Sequence, residues 1–388
     1  MASANLRGTP HAEIAGGGFA GLTAAVALRQ RGWTVRLHEK APELRPVGAG
    51  ILLWYNALRV LEGIGALDDV MKRSMTPPAY ETRLHNKTVS KETFDGLPWR
   101  MMTRRNLHDS LVSAARREGV DIVVNSEVVS ADPAGSITLA SGQKLKADLI
   151  VGADGVASQV RDSVRFTLRR NMSRDGVTRL IVPRKKEELG PGEWDNVIDF
   201  WNFEPRVLRV LYCPCDEENL YMALMAPRDD AEGSRVPINF DVWVSIFPHL
   251  APVLKEAAKI NGRYDRYQTT VLDEWTRGKI ALIGDAAHAM CPALGQGACC
   301  AMVNGLTLAM AMEEDLAVEE AVKKWEARYR SLTDRCQELS ANFAATRGMS
   351  KGNQFTAKVL ETARFDPIEC KLVPLMGDSS SFEELYHA

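Results

Sequence analysis

Apolar and polar positions divide the chain into runs of two periods. Residues 12–40 read AEIAGGGFAGLTAAVALRQRGWTVRLHEK: a short apolar run, a glycine cluster, apolar positions at helical spacing, and a second apolar run ending on an acid. Leu22, Ala24, Ala25, Val26 and Leu28 predict an amphipathic helix, and Thr34, Val35, Arg36 and Leu37 the strand after it. Helical spacing returns over residues 56–70, behind a loop marked by Gly48 and Gly50, and over 104–118, where Leu107, Leu111 and Ala114 or Ala115 share a face. Short β runs lie at 121–125 and 149–151, with hairpin signals at Gly135 and Gly142 between them.

The texture changes over residues 165–277. Runs at 177–182, 197–202, 207–212 and 220–225 predict strands, with 213–219 as the loop of a hairpin that would bring Arg209 and Tyr221 near one another. A helix is expected over 242–259 and a strand over 263–271, while 76–98 share the strand-rich character. The earlier pattern resumes with an apolar strand at 280–283, an acid, a proline turn and a glycine-rich helix entry, so the β-rich stretch reads as an insertion. The expected division is a first domain from 1–75, 99–165 and 278–330, a second from 76–98 and 166–277, and a C-terminal helix and tail over 331–388. The polar end, 377–388, is expected to be flexible.

Composition narrows the partners. Lys and Arg number 48 and Asp and Glu 50, a net charge of −2 that implies no basic surface for nucleic acid or an anionic membrane. No run approaches a membrane span, and residues 1–11 lack the apolar core of a signal peptide. The seven cysteines show no repeated spacing, and Cys213-Pro-Cys215 is too tight for a zinc knuckle. No metal is expected, and reduced thiols fit a cytoplasmic protein.

Gly16, Gly18 and Gly21 have the G-x-G-x-x-G spacing of a dinucleotide-binding turn, in which a pyrophosphate rests on the following helix N-terminus. Glu39 ends the second strand, where a carboxylate can accept a ribose hydroxyl; this suits NAD or the adenosine half of FAD. Asp154-Gly155 follows the strand at 149–151 and suits either a ligand contact or a helix cap. In the third element, Gly284-Asp285 to Ala298, His288 suits packing better than general-base work.

These three motifs, in this order and spacing, resemble the FAD-dependent aromatic hydroxylases of the para-hydroxybenzoate hydroxylase type, over about residues 12–334. The resemblance implies an α/β fold: a Rossmann-like FAD-binding domain, an inserted β-sheet substrate domain and a C-terminal helical segment. It implies FAD as cofactor, NADH or NADPH and O2 as co-substrates, and oxygen transfer to an electron-rich ring through a flavin C4a-hydroperoxide. The cofactor residues implied are Gly16, Gly18, Phe19, Ala20, Gly21, Glu39, Lys40 and Arg45, with Val128 at the adenine and Arg104 near the flavin. Asp154 would lie near FAD and NAD(P)H, Asp285 at the ribityl chain, and Pro292, Gly295, Gly297 and Ala298 beside them. Cys299 and Asn304 depart from the family's usual asparagine and aspartate.

Within that family, NKTVSKETFDGLPWR, GEWDNVID and GDAAHAMCPAL look like the oxygenases of vitamin B6 breakdown, which hydroxylate and open the ring of 3-hydroxypyridine carboxylates. The partner implied is a small aromatic (pyridine) carboxylate, 2-methyl-3-hydroxypyridine-5-carboxylate or 5-pyridoxate. Arg209 and Tyr221 are the candidates for the ring oxygen, with Tyr80, Tyr267 and Arg179 beside them; Leu52 stands where those oxygenases have a tyrosine. Salicylate or 6-hydroxynicotinate hydroxylation is an alternative. A halogenase would carry a W-x-W-x-I-P stretch, which is absent, and a non-catalytic scaffold has no use for all three motifs. The C-terminal helix and tail could serve a homo-oligomer.

Overall fold

The glycine cluster and its flanking strands organise a six-stranded sheet. The computed structural model describes residues 8–45, 48–94, 96–345 and 361–372. The sheet runs in the order Thr276–Arg277, Ile280–Leu282, Leu149–Gly152, His11–Ala15, Thr34–His38, Asp121–Val123. All neighbours are parallel except the first pair. The helix Phe19–Gln30 is buried from Phe19 to Leu28 rather than along one stripe. The reason is its position: it packs against the helices Gly297–Ala311 and Arg104–Arg117 as well as its own sheet.

The insertion forms a seven-stranded sheet in the order Tyr264–Leu272, Leu168–Pro183, Asn219–Pro227, Leu208–Pro214, Val197–Asn202, Tyr80–Leu84, Lys87–Glu92. Its two faces differ because strand side chains alternate. Leu180, Val182, Ile198, Phe200, Val210, Tyr212, Met222 and Leu224 form a second apolar core with Trp243, Phe247 and Leu254. The helix expected over 242–259 is broken by Pro248 and Pro252 into Phe240–Ile246, a 3-10 turn Pro248–Leu250 and Ala251–Ala257. Against the other face lies a three-stranded sheet, Gly50–Trp54, Trp99–Thr103 and Ser74–Met75. Tyr221 packs on Gly50 so closely that a Cβ there would overlap its ring.

One helix, Val318–Ala345, runs through the expected boundary at 330. Residues 361–372 then return to the first domain, where Ala363 and Phe365 enter its core. The end expected to be flexible, 377–388, lies outside the described residues. Among those described, no helix is long and apolar enough to cross a membrane.

Candidate active site

The cofactor side is built from backbone. The strand His11–Ala15 delivers the chain to Gly16, whose N–H donates to His38 O at 2.8 Å. A Cβ at Gly21 would overlap the Gly16 carbonyl, and one at Gly16 would overlap Ala153 O, so turn and helix can approach only as glycine. At Gly18 the reverse holds, with nothing within 4 Å of where a Cβ would stand. Helix Phe19–Gln30 starts there with no side-chain cap and no acid in its first turn. Its leading N–H groups thus face an open cradle, which fits the pyrophosphate of FAD.

Glu39 braces that cradle, accepting from Gly17 N–H at 3.0 Å and Ala41 N–H at 2.9 Å. His108, which the sequence did not single out, holds the same loop through Nε2 to Gly17 O at 3.0 Å. Lys40 and Arg45 are exposed beyond Glu39. Val128 opens the strand Val128–Asp132 two residues after Ser126, whose N–H donates to Glu39 O.

The other two motifs meet this turn from neighbouring strands. Asp154 accepts from Ser158 Oγ at 2.5 Å and from the N–H groups of Gln159 and Val160, so its carboxylate caps the helix Gln159–Val164. Burial pushes its pKa up. Asp285 is exposed at the start of the helix Asp285–His288. Buried Arg161 ties the two elements together, donating to Val156 O and Ala286 O at 3.1 Å each. Pro292 opens a 3-10 turn, Gly295 takes φ +66°, and Gly297 and Ala298 begin the next helix. Leu52 lies beside Gly295. His288 is buried with Nε2 on Asn304 Oδ1 at 2.5 Å and its ring against Trp275, a core contact made through the departing Asn304. Burial pushes its pKa down.

The substrate side is built from side chains. Strand register puts Tyr80, Asp199, Trp201, Arg209, Tyr221, Met225, Arg179, Asp265 and Tyr267 on one face of the seven-stranded sheet. Arg209 pairs with Met225 and Cys213 with Tyr221, so Arg209 and Tyr221 share that face about 13 Å apart along the strand rather than side by side.

Arg209 is also not an open anion receptor. Its Nε and Nη2 donate to both oxygens of Asp199 at 2.6 and 2.9 Å, Nη1 points at Met225 Sδ, and the guanidinium lies 4.6 Å from the Trp201 ring centre. Tyr80 adds its hydroxyl to the same carboxylate at 3.3 Å. Burial opposes the Arg209 charge, yet Asp199 raises its pKa above the usual value.

Two further arginines, Arg179 and Arg104, lie near one another beyond this pair. Arg179 makes one contact, Nη2 to Asp265 Oδ2 at 3.1 Å, and lies over Tyr267. Arg104 lies over Phe19, and burial with the nearby Arg179 charge pushes its pKa down to about 10. Burial also raises both neighbouring phenols, Tyr221 to about 12 and Tyr267 further still, so each is a hydrogen-bond donor near neutral pH.

Asp199, Trp201, Met225 and Cys291 were missed by motif reading. The signal for Asp199 was present: an acid at an alternate position of the run VIDFWN. Cys291, whose thiol burial pushes up in pKa, faces the electrostatic reach of Arg209 and Tyr267.

A glycine cradle for a dinucleotide, two further strand-end motifs and an arginine- and tyrosine-bearing sheet opposite them define an FAD-dependent monooxygenase. The chain belongs to the FAD binding domain family, whose model matches residues 9–335. A 2-methyl-3-hydroxypyridine-5-carboxylic acid oxygenase solved in a tetrameric form is 64% identical, with a TM-score of 0.93 over 94% of this chain and 99% of that one. The 2-heptyl-3-hydroxy-4(1H)-quinolone synthase of Mycobacteroides abscessus is 35% identical over 337 residues, 85% of this chain and 88% of its own. The 3-amino-4-hydroxybenzoate 2-monooxygenase of Streptomyces cremeus is 30% identical over 357 residues, 85% of this chain and 86% of its own. The expected FAD-binding α/β fold is therefore the observed one.

Proposed function

We propose that this chain is an NAD(P)H-consuming oxygenase that hydroxylates and opens the ring of 2-methyl-3-hydroxypyridine-5-carboxylate, a step of vitamin B6 degradation in the cytoplasm. The observation that carries the reading is the polar sheet face, where Arg179, Tyr221 and Tyr267 gather next to Arg104 while Arg209 is already neutralised. Such a face suits a ring with one carboxylate and one phenolic oxygen. The 64% identity to the oxygenase of that substrate supports the choice of ring, and its tetrameric form supports a homo-oligomer.

Bound FAD, reduced by NAD(P)H, would supply the electrophilic oxygen from O2. The residues that would hold it are Gly16, Gly18, Phe19, Ala20, Gly21, Glu39 and Arg104, with Asp285, Pro292, Gly295, Gly297 and Ala298 along its flavin half. The chain's own work is to bind and orient the ring. Arg179 has donors left beyond its one contact to Asp265 and takes the carboxylate. Tyr221 and Tyr267, held protonated, donate to the ring oxygen and favour its anionic form. The Arg209–Asp199 pair offers N–H donors without net charge.

Leu52 favours a second reading. It stands beside Gly295 where the similar oxygenases have a tyrosine, a difference in side chain that suits a ring carrying the extra hydroxymethyl of 5-pyridoxate. One experiment separates the readings: FAD-loaded protein is given NADH or NADPH with each pyridine acid or salicylate, and products are weighed. The proposal expects stimulation by the 5-carboxylate and a product heavier by two oxygens and two hydrogens, without ring absorbance. A product with one added oxygen and an intact ring, or stimulation by salicylate alone, overturns it.

A further inference from the structure

We infer that Asn56 is a positioning residue for the flavin-side turn at 294–296, and that residues 361–372 complete the cofactor site from outside by holding Asn56. This goes beyond the choice of substrate and does not depend on it.

The turn carries Gly295 in a left-handed conformation and opens the helix Gly297–Ala311. Two side chains at the start of the helix Tyr55–Gly63 fix it. Trp54 Nε1–H donates to Leu294 O at 3.0 Å, and Asn56 Nδ2–H donates to Gln296 Oε1 at 3.0 Å. Gln296 has no exposed surface; its Oε1 is held by Asn56, while its Nε2 finds no hydrogen-bond partner among the described residues.

The same Asn56 amide also reaches Thr362 O at 3.4 Å, and its Oδ1 accepts from Ala57 N–H at 2.9 Å. Both its donor and its acceptor atoms are thus in use, and one of its contacts is to a segment far away in sequence. That segment is held at its other end by Asp366, which accepts from Tyr55 Oη at 3.0 Å and Arg59 Nε at 2.9 Å. Glu361 pairs with Arg335 at 2.8 Å. A turn that meets a cofactor must be held to within a fraction of an ångström, and here the supporting shell extends to the C-terminal return.

The test is FAD affinity of apo-protein, read by quenching of flavin fluorescence, with hydrogen exchange over 361–372 measured in parallel. Asn56→Ala loses a buried hydrogen bond to the turn and is expected to weaken FAD by about tenfold. Asp366→Asn loosens the segment from its far end and is expected to weaken FAD by about threefold; the double variant should fall short of the product of the two. Glu313→Gln, which breaks a surface pair with Arg31, should leave FAD affinity unchanged. FAD binding within twofold of wild type in Asn56→Ala overturns the inference. Should that variant not fold, Asp366→Asn decides: faster exchange over 361–372 with unchanged FAD affinity overturns it equally.

Discussion

In the proposed function the two halves of the molecule recognise their ligands by different means. In the six-stranded half, backbone N–H groups, glycines at close approach and a helix N-terminus form the cradle, and side chains such as Glu39 and His108 only brace it. In the seven-stranded half the backbone is spent on sheet pairing, so the proposed recognition falls to side chains on one face while the other face is an apolar core. Backbone recognition requires particular residues at fixed spacing. Side-chain recognition requires only a face, and many residue patterns can supply one.

The most damaging way to break this contrast is Gly21→Val, since any Cβ there overlaps Gly16 O. Flavin retained on purification should fall by at least about tenfold, measured by visible absorbance. Asp199→Ala acts on the other half, leaving the Arg209 guanidinium buried without its carboxylate. A loss of about 3–5 kcal/mol in denaturant unfolding is expected, with FAD binding kept, whereas Asp199→Leu combined with Arg209→Met should be close to wild type. Equal loss in single and double variants would refute the ion-pair account.

A smaller effect is expected from Tyr221→Phe, which removes one buried donor and should weaken ring binding by about fivefold without altering FAD affinity. The smallest belongs to the outer face, where the His249 ring lies tilted against Phe200 with centres 4.9 Å apart. Burial, then the Arg83 charge, push its pKa down to about 4. The unfolded chain, with a histidine pKa of about 6.5, takes up the proton first, so stability present at pH 7 declines as pH falls from about 6.5 toward 4. Because His249 is partly exposed, about 1 kcal/mol or less is at stake, and His249→Phe should flatten that slope in unfolding measured at pH 7 and pH 5.

The contrast also explains what was legible. Gly16, Gly18, Gly21, Glu39 and Gly284-Asp285 could be placed on strand ends because their roles depend on spacing along one strand–turn–helix unit. Asp154 suited either a ligand contact or a helix cap in the sequence, and its bonds from Ser158, Gln159 and Val160 show the cap. On the sheet, register was the missing information. Arg209 and Tyr221 were assigned to facing strands correctly, yet the pairing Arg209 to Met225 separates them, and Asp199, on the neighbouring strand at the end of GEWDNVID, takes up the Arg209 charge. The return of 361–372 was invisible for a related reason: its apolar content is only a few residues, and its partners Tyr55, Asn56 and Arg59 lie some three hundred positions earlier.

The most direct test of the division of labour is to titrate FAD-loaded wild type and Arg179→Ala with 2-methyl-3-hydroxypyridine-5-carboxylate, following the perturbation of flavin absorbance. The account predicts that the variant keeps its flavin and binds the acid about 10- to 100-fold more weakly, the cost of losing a charge-assisted contact in a buried site. Equal affinity in the two proteins would contradict it, and would move recognition of the carboxylate away from the polar sheet face.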